Sequence, residues 1–385
     1  MYINRDITNA LLRLSKQYPV VTITGPRQSG KTTLSKRIFC KHEYVSLEDI
    51  SNRSFAEEDP KGFLERYNNG VIIDEIQRVP HLLSYIQTIV DEKDKKGLFI
   101  LTGSNQFELM SSINQSLAGR TAIIKLLPLS YNELYKDKSP TVEEVIYKGF
   151  YPRIHKDNLN PTEMYSFYIN TYVERDVRQI MNVQDLSIFI KFLKICAGRT
   201  GQIINYSSIS NECGVDHKTV KKWLSVLETS YVIKLLQPYY RNINKRVTKS
   251  PKLYFYDTGL VCFLLGVNSP EHLNSHPLSG AIFETYVVSD IWKNYYNNVM
   301  ADNLFYFHDS RGKEVDVIFD KVVSIDQMEI KMSKTINSSY FDNMSYLKST
   351  FNIVDRSFLI YGGDESLNRS NVQIMSWRKI TDYFI

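Results

Sequence analysis

Over its first third the chain alternates short, nearly continuous apolar runs with stretches whose apolar positions recur every three or four residues. The runs go from Val20 to Thr24, Tyr44 to Leu47, Val71 to Asp74, Leu98 to Thr102 and Thr121 to Leu126. Continuous rather than alternating apolarity, rich in β-branched residues, predicts strands buried on both faces of a parallel sheet, with the intervening stretches as covering helices. One such helix is expected from Pro80 to Val90, with Pro at its start and apolar residues at three-to-four spacing. The result is a parallel α/β core over residues 1–135. From Thr141 to about Val183 the pattern turns helical and aromatics crowd Tyr165 to Tyr172, so residues 136–195 are expected to form a small helical lid. Its Tyr and Phe stripe suits core or domain-interface packing better than base stacking. In residues 196–260 a short helix, a turn at Gly214 and an N-capping Asp216 lead into a second helix, the spacing of a helix-turn-helix. The runs Tyr231 to Leu236 and Leu253 to Tyr256 complete a winged variant. Residues 275–385 return to mixed α/β.

The loop between the first strand and its helix reads Gly25-Pro26-Arg27-Gln28-Ser29-Gly30-Lys31-Thr32-Thr33, which satisfies G-x-x-x-x-G-K-[ST] in strand-loop-helix context. Inward-facing backbone N–H groups at the positive end of a helix make a phosphate cradle. There Lys31 would reach the β- and γ-phosphates of ATP, and Thr32 would place its hydroxyl on Mg²⁺. A second apolar strand ends in Asp74-Glu75. Asp74 would hold the magnesium and Glu75 would polarise the attacking water. The strand after that runs into Ser104-Asn105, either of which is placed to sense the γ-phosphate.

Charge elsewhere falls into two groups. His217, Lys218, Lys221 and Lys222 begin the second helix of the helix-turn-helix, and Arg241, Lys245, Arg246, Lys249 and Lys252 follow it. Contact with double-stranded DNA and plain packing between domains are both open readings of that pattern. In the last segment Glu284 falls on a predicted helix, Asp316 on the strand from Glu314 to Phe319, and Glu329-Ile330-Lys331 on the next strand. A helical Glu, a strand Asp and E-x-K on the following strand is the order of a restriction-endonuclease-like core, PD-(D/E)xK. Side chains two apart share a face, so Glu329 and Lys331 point the same way. Asp316 and Glu329 would bind a second Mg²⁺ or Mn²⁺ with Glu284 in support, and Lys331 would stabilise the attacking hydroxide. The competing account leaves these acids solvated at the rim of an inherited fold. Arg153, Arg175, Asp176 and Arg178 are the lid charges to follow.

Composition narrows the picture a little further. A length of 385 residues allows two or three domains, and 43% hydrophobic with 23% charged residues is ordinary for a soluble globular chain. A net charge of +5 permits nucleic-acid binding without requiring it. Cys40, Cys196, Cys213 and Cys262 stand far apart and suggest neither a zinc ribbon nor a disulfide framework. His272 and His276 read as a surface turn. Without an apolar stretch of about 20 residues or a signal-like start, a cytoplasmic protein with no membrane partner is expected.

The strings GPRQSGKTTL, IIDEIQRVPHLL, LTGSNQFELM, SLAGRTAIIKLLPLSYNEL, KLYFYDTGLVCFLLG and GKEVDVIFD, in this order, resemble prokaryotic AAA-type ATPases whose C-terminal half is a domain of unknown function with a nuclease-like core. The resemblance runs from about Arg5 to Lys331. It implies an AAA-type core, a winged helix and a restriction-endonuclease-like domain, and it permits a homo-oligomer. It also marks Leu117-Ala118-Gly119-Arg120 just before the last core strand, making Arg120 the candidate to complete a γ-phosphate site in its own or a neighbouring subunit. An ion pair ordering the loop is the other reading of Arg120. Where the family usually shows an Arg after the aromatic strand, this chain has Phe307-His308-Asp309-Ser310-Arg311. Two functional classes follow: an ATP hydrolase coupling its cycle to a DNA-facing half with nuclease potential, or a nucleotide-switched DNA-binding regulator or antitoxin-like protein with little turnover.

Overall fold

The computed structural model of the chain describes residues 2–93, 95–103, 113, 115–136, 138–172, 186–240 and 250–384. Ser104, Asn105, Arg175, Asp176, Arg178, Arg241, Lys245, Arg246 and Lys249 therefore lie outside the described residues. The chain divides into two compact units. The first comprises residues 1–129 with the short segments 229–231 and 295–300, and the second comprises 130–228, 232–294 and 301–385.

The first unit is built on five parallel strands, β1 (Val20–Thr24), β2 (Glu43–Ser46), β3 (Val71–Asp74), β4 (Phe99–Gly103) and β5 (Thr121–Lys125), in the order β2-β3-β4-β1-β5. Alternate residues of each strand serve opposite faces. Val20, Val71, Ile73 and Leu101 pack with Leu82, Leu83, Ile86 and Val90 on one side. Val21, Ile23, Ile72 and Ile100 pack with Ile7, Leu11, Leu14 and Leu34 on the other. In the three inner strands β3, β4 and β1 both faces are covered, so apolar residues are favoured at nearly every position, and each fully buried Ile, Leu or Val contributes roughly 1.5–3 kcal/mol. The helix after the acidic strand spans Leu82–Glu92 and not Pro80 to Val90. Leu82, Leu83 and Ser84 donate to the carbonyls three residues back, so the Pro80-His81 turn is tighter than an α-helix and the regular helix starts later.

The second unit begins with helices Tyr131–Tyr135, Val142–Lys148, Pro152–Asp157, Pro161–Tyr172 and Leu186–Ala197. Tyr165, Tyr168 and Tyr172 are buried. The Tyr168 hydroxyl accepts from Tyr151 at 2.9 Å, so these rings are packing groups. Helices Tyr206–Cys213 and His217–Thr229 follow, joined through Gly214 and capped by Asn205 and Asp216, whose side chains accept from the Ser208 and Thr219 amides at 3.0 and 2.9 Å. Trp223 of the second helix packs edge-on against Phe189 and Phe192. Strands β6 (Gln202–Ile203), β7 (Ile233–Leu236) and β8 (Lys252–Phe255) form an antiparallel sheet ordered β6-β8-β7. After helices Thr258–Leu264, Pro270–Ser275 and Ser279–Asn297 comes a mixed sheet of β9 (Leu304–His308), β10 (Glu314–Asp320), β11 (Ile325–Lys331), β12 (Val354–Tyr361), β13 (Leu367–Arg369) and β14 (Val372–Ser376), in the order β13-β14-β12-β11-β10-β9.

Asp257 ties several of these helices together. Its Oδ1 accepts from the Tyr165 hydroxyl at 2.6 Å and the Leu260 amide at 2.9 Å, and its Oδ2 accepts from the Phe150 amide at 2.7 Å. Gly149 beside it has φ +65°, and a Cβ there would stand 2.2 Å from the Tyr165 hydroxyl, so only glycine lets the three approach. Asp257→Ala is expected to lower stability by about 3 kcal/mol or more, since it strands two amides and a hydroxyl in the interior. A urea titration monitored by circular dichroism checks this. A midpoint within error of the wild type would remove Asp257 from this structural role.

Candidate functional site

The glycine-rich loop leaves the carboxyl end of β1, which lies between β4 and β5. Gly25 has φ +149°, and a Cβ there would lie 2.1 Å from the Leu126 carbonyl oxygen, so the loop can turn only because the residue has no side chain. The helix Lys31–Ile38 starts directly after Gly30. Lys31 is buried, and its Nζ donates to the Gly25 and Pro26 carbonyls at 3.0 and 2.8 Å. Arg5, also buried, donates to the Ser29 carbonyl at 2.8 Å and the Leu127 carbonyl at 2.7 Å, clamping the loop from below. The Ser29 hydroxyl is buried without a hydrogen-bond partner. An unmet donor in a loop closed by an ammonium suits an incoming anion. Pro26 is buried, Arg27 half-buried, and Gln28 and Thr33 exposed along the same loop and first helical turn.

Asp74 ends β3 beside this loop, and both of its oxygens are engaged. Oδ2 accepts from the Thr32 hydroxyl at 2.9 Å and the Tyr44 hydroxyl at 2.9 Å, and Oδ1 accepts from the Thr102 hydroxyl. Burial, reinforced by the Asp74 charge, pushes the Tyr44 hydroxyl up to about 12, so it remains a donor at neutral pH. The Lys36 ammonium lies 3.3 Å from the Tyr44 ring centre. Tyr44 and Thr102 carry no sequence signal as site residues. They reach Asp74 because β2 and β4 flank β3. Glu75 sits in the left-handed region, φ 57° and ψ 46°, which is uncommon for a residue with a side chain. Its carboxylate accepts from the Gln77 amide.

Arg120 stands elsewhere. It precedes β5, whose first residue Thr121 pairs with Val20, and the Val20 amide donates to the Arg120 carbonyl at 3.3 Å. The loop follows Thr24 at the other end of β1, about 13 Å away along the strand. Arg120 forms a two-point pair with Asp91, at 2.6 and 2.8 Å. It is thus not placed to complete the γ-phosphate site of its own subunit.

In the second unit the structure brings Glu284, Asp316, Glu329 and Lys331 together and adds members the sequence did not indicate. Lys252, expected in the basic tail, is turned inward with its side chain 1% exposed. Its Nζ lies 3.2 Å from Glu284 and 3.7 Å from Asp316, and it pairs with Glu314. Lys331 lies 2.6 Å from Glu329 and 3.6 Å from Asp316. Asp316 Oδ2 also accepts from the Ile330 amide at 2.8 Å, and Glu284 accepts from the Tyr254 hydroxyl. These acids are not solvated at a rim: Asp316 and Glu329 are buried, and Glu329 Oε2 has no hydrogen-bond partner. Burial pushes Glu284 up to about 7 against the pull of Lys252. Burial and the neighbouring Asp316 push Glu329 up to about 8 against the pull of Lys331. Among the described residues no group of three His, Cys, Asp or Glu is arranged to hold a metal, so the expected second Mg²⁺ or Mn²⁺ gains no support from this geometry. Arg153 pairs with Asp157 at 3.7 Å. His272 lies on the short helix Pro270–Ser275, with its ring stacked edge-on to His276.

At the start of helix His217–Thr229, the residues Asp216, His217, Lys218, Thr219 and Lys222 line an open cavity of about 590 Å³. Lys218, Lys221 and Lys222 are exposed.

Residues 17–135 match the profile of an AAA domain. Residues 139–271 and 279–380 match two domains of unknown function, DUF8612 and DUF4143. An uncharacterised protein of Mycobacterium tuberculosis is 29% identical over 336 residues, covering 86% of this chain and 74% of that protein. Another, from Haemophilus influenzae, is 23% identical over 364 residues, covering 86% and 87%. Among solved structures, the Walker-type ATPase of Pyrococcus abyssi is similar over 68% of this chain and 96% of its own, with a TM-score of 0.46 at 13% identity. The chain carries an AAA-type P-loop ATPase domain on a parallel sheet. No described helix is long and apolar enough to cross a membrane.

The acid cluster makes stability depend on pH. Glu329 is raised from its ordinary 4.5 to about 8, so the folded chain holds that proton more tightly than the unfolded one. The stabilisation is complete below the ordinary value and is lost as pH rises through the folded one. Melting temperature is therefore expected to fall between about pH 5 and pH 8, and less so in Glu329→Gln, whose amide cannot ionise. Parallel pH profiles for the two proteins would refute this.

Proposed function

We propose that the protein is a Mg²⁺-dependent ATPase whose nucleotide cycle acts on a DNA-facing second half. The observation that carries the ATPase reading is the Thr32 to Asp74 hydrogen bond beside a loop closed by Lys31, within a segment that matches an AAA domain. In this reading ATP is the substrate. Gly25, Pro26, Arg27, Gln28, Ser29, Gly30 and Thr33 form its phosphate cradle, and Lys31 neutralises the β- and γ-phosphates. Thr32 and Asp74 would hold the Mg²⁺, which supplies charge neutralisation of the phosphates when bound. Glu75 polarises the attacking water, and Tyr44 and Thr102 keep Asp74 oriented. Asn105 is assigned as the γ-phosphate sensor. Arg120 is assigned to a neighbouring subunit's nucleotide, which requires a homo-oligomer. The Gln77 amide on Glu75 favours the second reading, a slow nucleotide-switched DNA-binding regulator or antitoxin-like protein, because it engages the group needed for turnover.

For the remainder, residues 136–195 are assigned as a lid, 196–260 as a winged helix and 275–385 as a restriction-endonuclease-like domain. The winged helix is supported by the Gly214-joined helices beside an antiparallel sheet, and DNA contact by the exposed Lys218, Lys221 and Lys222. The nuclease-like domain is supported by the convergence of Glu284, Asp316, Glu329 and Lys331. No cleavage step is assigned to these residues.

Lys31→Ala is expected to abolish ATP binding by calorimetry. Glu75→Gln is expected to keep binding and lose about 100-fold or more in turnover, since the amide preserves shape but cannot take a proton. Wild-type turnover in Glu75→Gln would remove Glu75 from the water-activating role. Duplex DNA affinity should fall steeply with salt and fall further in Lys221→Glu/Lys222→Glu, with ATP binding untouched. Equal affinity of both proteins at low salt would assign these helices to packing.

A further inference from the structure

We infer that Lys252 is a built-in counter-ion that takes a divalent cation's place in the acid cluster of the second unit, making the cluster a metal-free ion network that fastens β8 to the β9–β11 sheet. The inference does not depend on the ATPase reading. Glu284 comes from helix Ser279–Asn297, Glu314 and Asp316 from β10, Glu329 and Lys331 from β11, and Lys252 from β8. Both ammonium groups border Asp316, Lys252 on its Oδ1 side at 3.7 Å and Lys331 on its Oδ2 side at 3.6 Å. A Mg²⁺ ion needs oxygen ligands in near-octahedral array at about 2.0–2.1 Å, one or two of them carboxylates and the rest waters, and so needs open space beside the acids that hold it. An ammonium in contact with three carboxylates fills the space where they converge and repels a second cation.

Lys252 is built to stay charged. Burial alone would depress it, yet Glu284, Asp316 and Glu314 hold it well above the ordinary lysine value. The same residue end is anchored a second way, because the Tyr306 hydroxyl of β9 donates to the Ser250 carbonyl at 2.6 Å, two residues before Lys252. Tyr306 also pairs through its backbone with Gln237 and Tyr239, the N–H donating at 3.1 Å and the carbonyl accepting at 2.6 Å. Lys252 is therefore fixed from its backbone outward and is not a mobile side chain passing through the site. Four carboxylates facing two lysines leave the cluster short of positive charge, which the raised Glu284 and Glu329 meet by holding protons.

The test is Mn²⁺ uptake, followed by electron paramagnetic resonance on the full, nucleotide-free, chelator-stripped chain, for wild type, Asp316→Asn, Lys252→Met and Lys252→Met/Asp316→Asn. Any Mn²⁺ held by the glycine-rich loop is common to all four. Wild type and Asp316→Asn should take up the same Mn²⁺, whereas Lys252→Met should gain a site binding at least ~10-fold tighter, lost again in the double variant. The inference is overturned if wild type binds one Mn²⁺ that Asp316→Asn lacks, or if a Lys252→Met protein with a cooperative melt gains none. Should Lys252→Met fail to fold, the wild-type and Asp316→Asn comparison decides alone, and Lys252→Arg, which keeps the charge, should match wild type.

Discussion

A carboxylate on a buried strand cannot be left alone, and this constraint organises both units. Removing an ionised acid from water costs several kcal/mol unless donors or opposite charge meet it, so each such acid recruits neighbours from whatever elements pass nearby. Asp74 draws Thr32 from the loop helix, Tyr44 from β2 and Thr102 from β4. Asp316 draws Lys252, Lys331 and the Ile330 amide.

The two solutions differ in what they permit. Hydroxyls around Asp74 are neutral donors that rotate, so an arriving cation meets an intact negative charge and displaces only a hydrogen bond. Around Asp316 the charge is already met by two ammonium groups, Lys252 and Lys331, and a cation would have to evict one of its own sign. The same residue type, on a buried strand in each case, is left open to an ion in one unit and closed in the other.

Much of the first unit was legible because its signals are contiguous. The glycine-rich loop occupies nine consecutive residues, and double-sided burial wrote β1, β3 and β4 as nearly unbroken apolar runs. The unread parts depend on adjacency. Tyr44 and Thr102 meet Asp74 only because the sheet order is β2-β3-β4, which no spacing along the chain encodes. Arg120 was marked by the strand it precedes, but strand direction sets it at the edge away from the loop. Lys252 looked like one more basic residue in a basic run, and its environment comes wholly from helix and strands that follow it. The E…D…E-x-K order did identify residues that converge, while the ion-pairing among them was invisible.

Lys252 lies within the 139–271 segment, whereas Glu284, Glu314 and Asp316 lie within 279–380. Neither segment is electrostatically complete without the other: one would carry a buried ammonium, the other several buried acids. Recombination that exchanged either for an unrelated module would inherit an uncompensated charge in its interior. The two segments are therefore expected to travel through evolution as a single heritable block, with substitutions at Lys252 tolerated only alongside changes among its acidic partners.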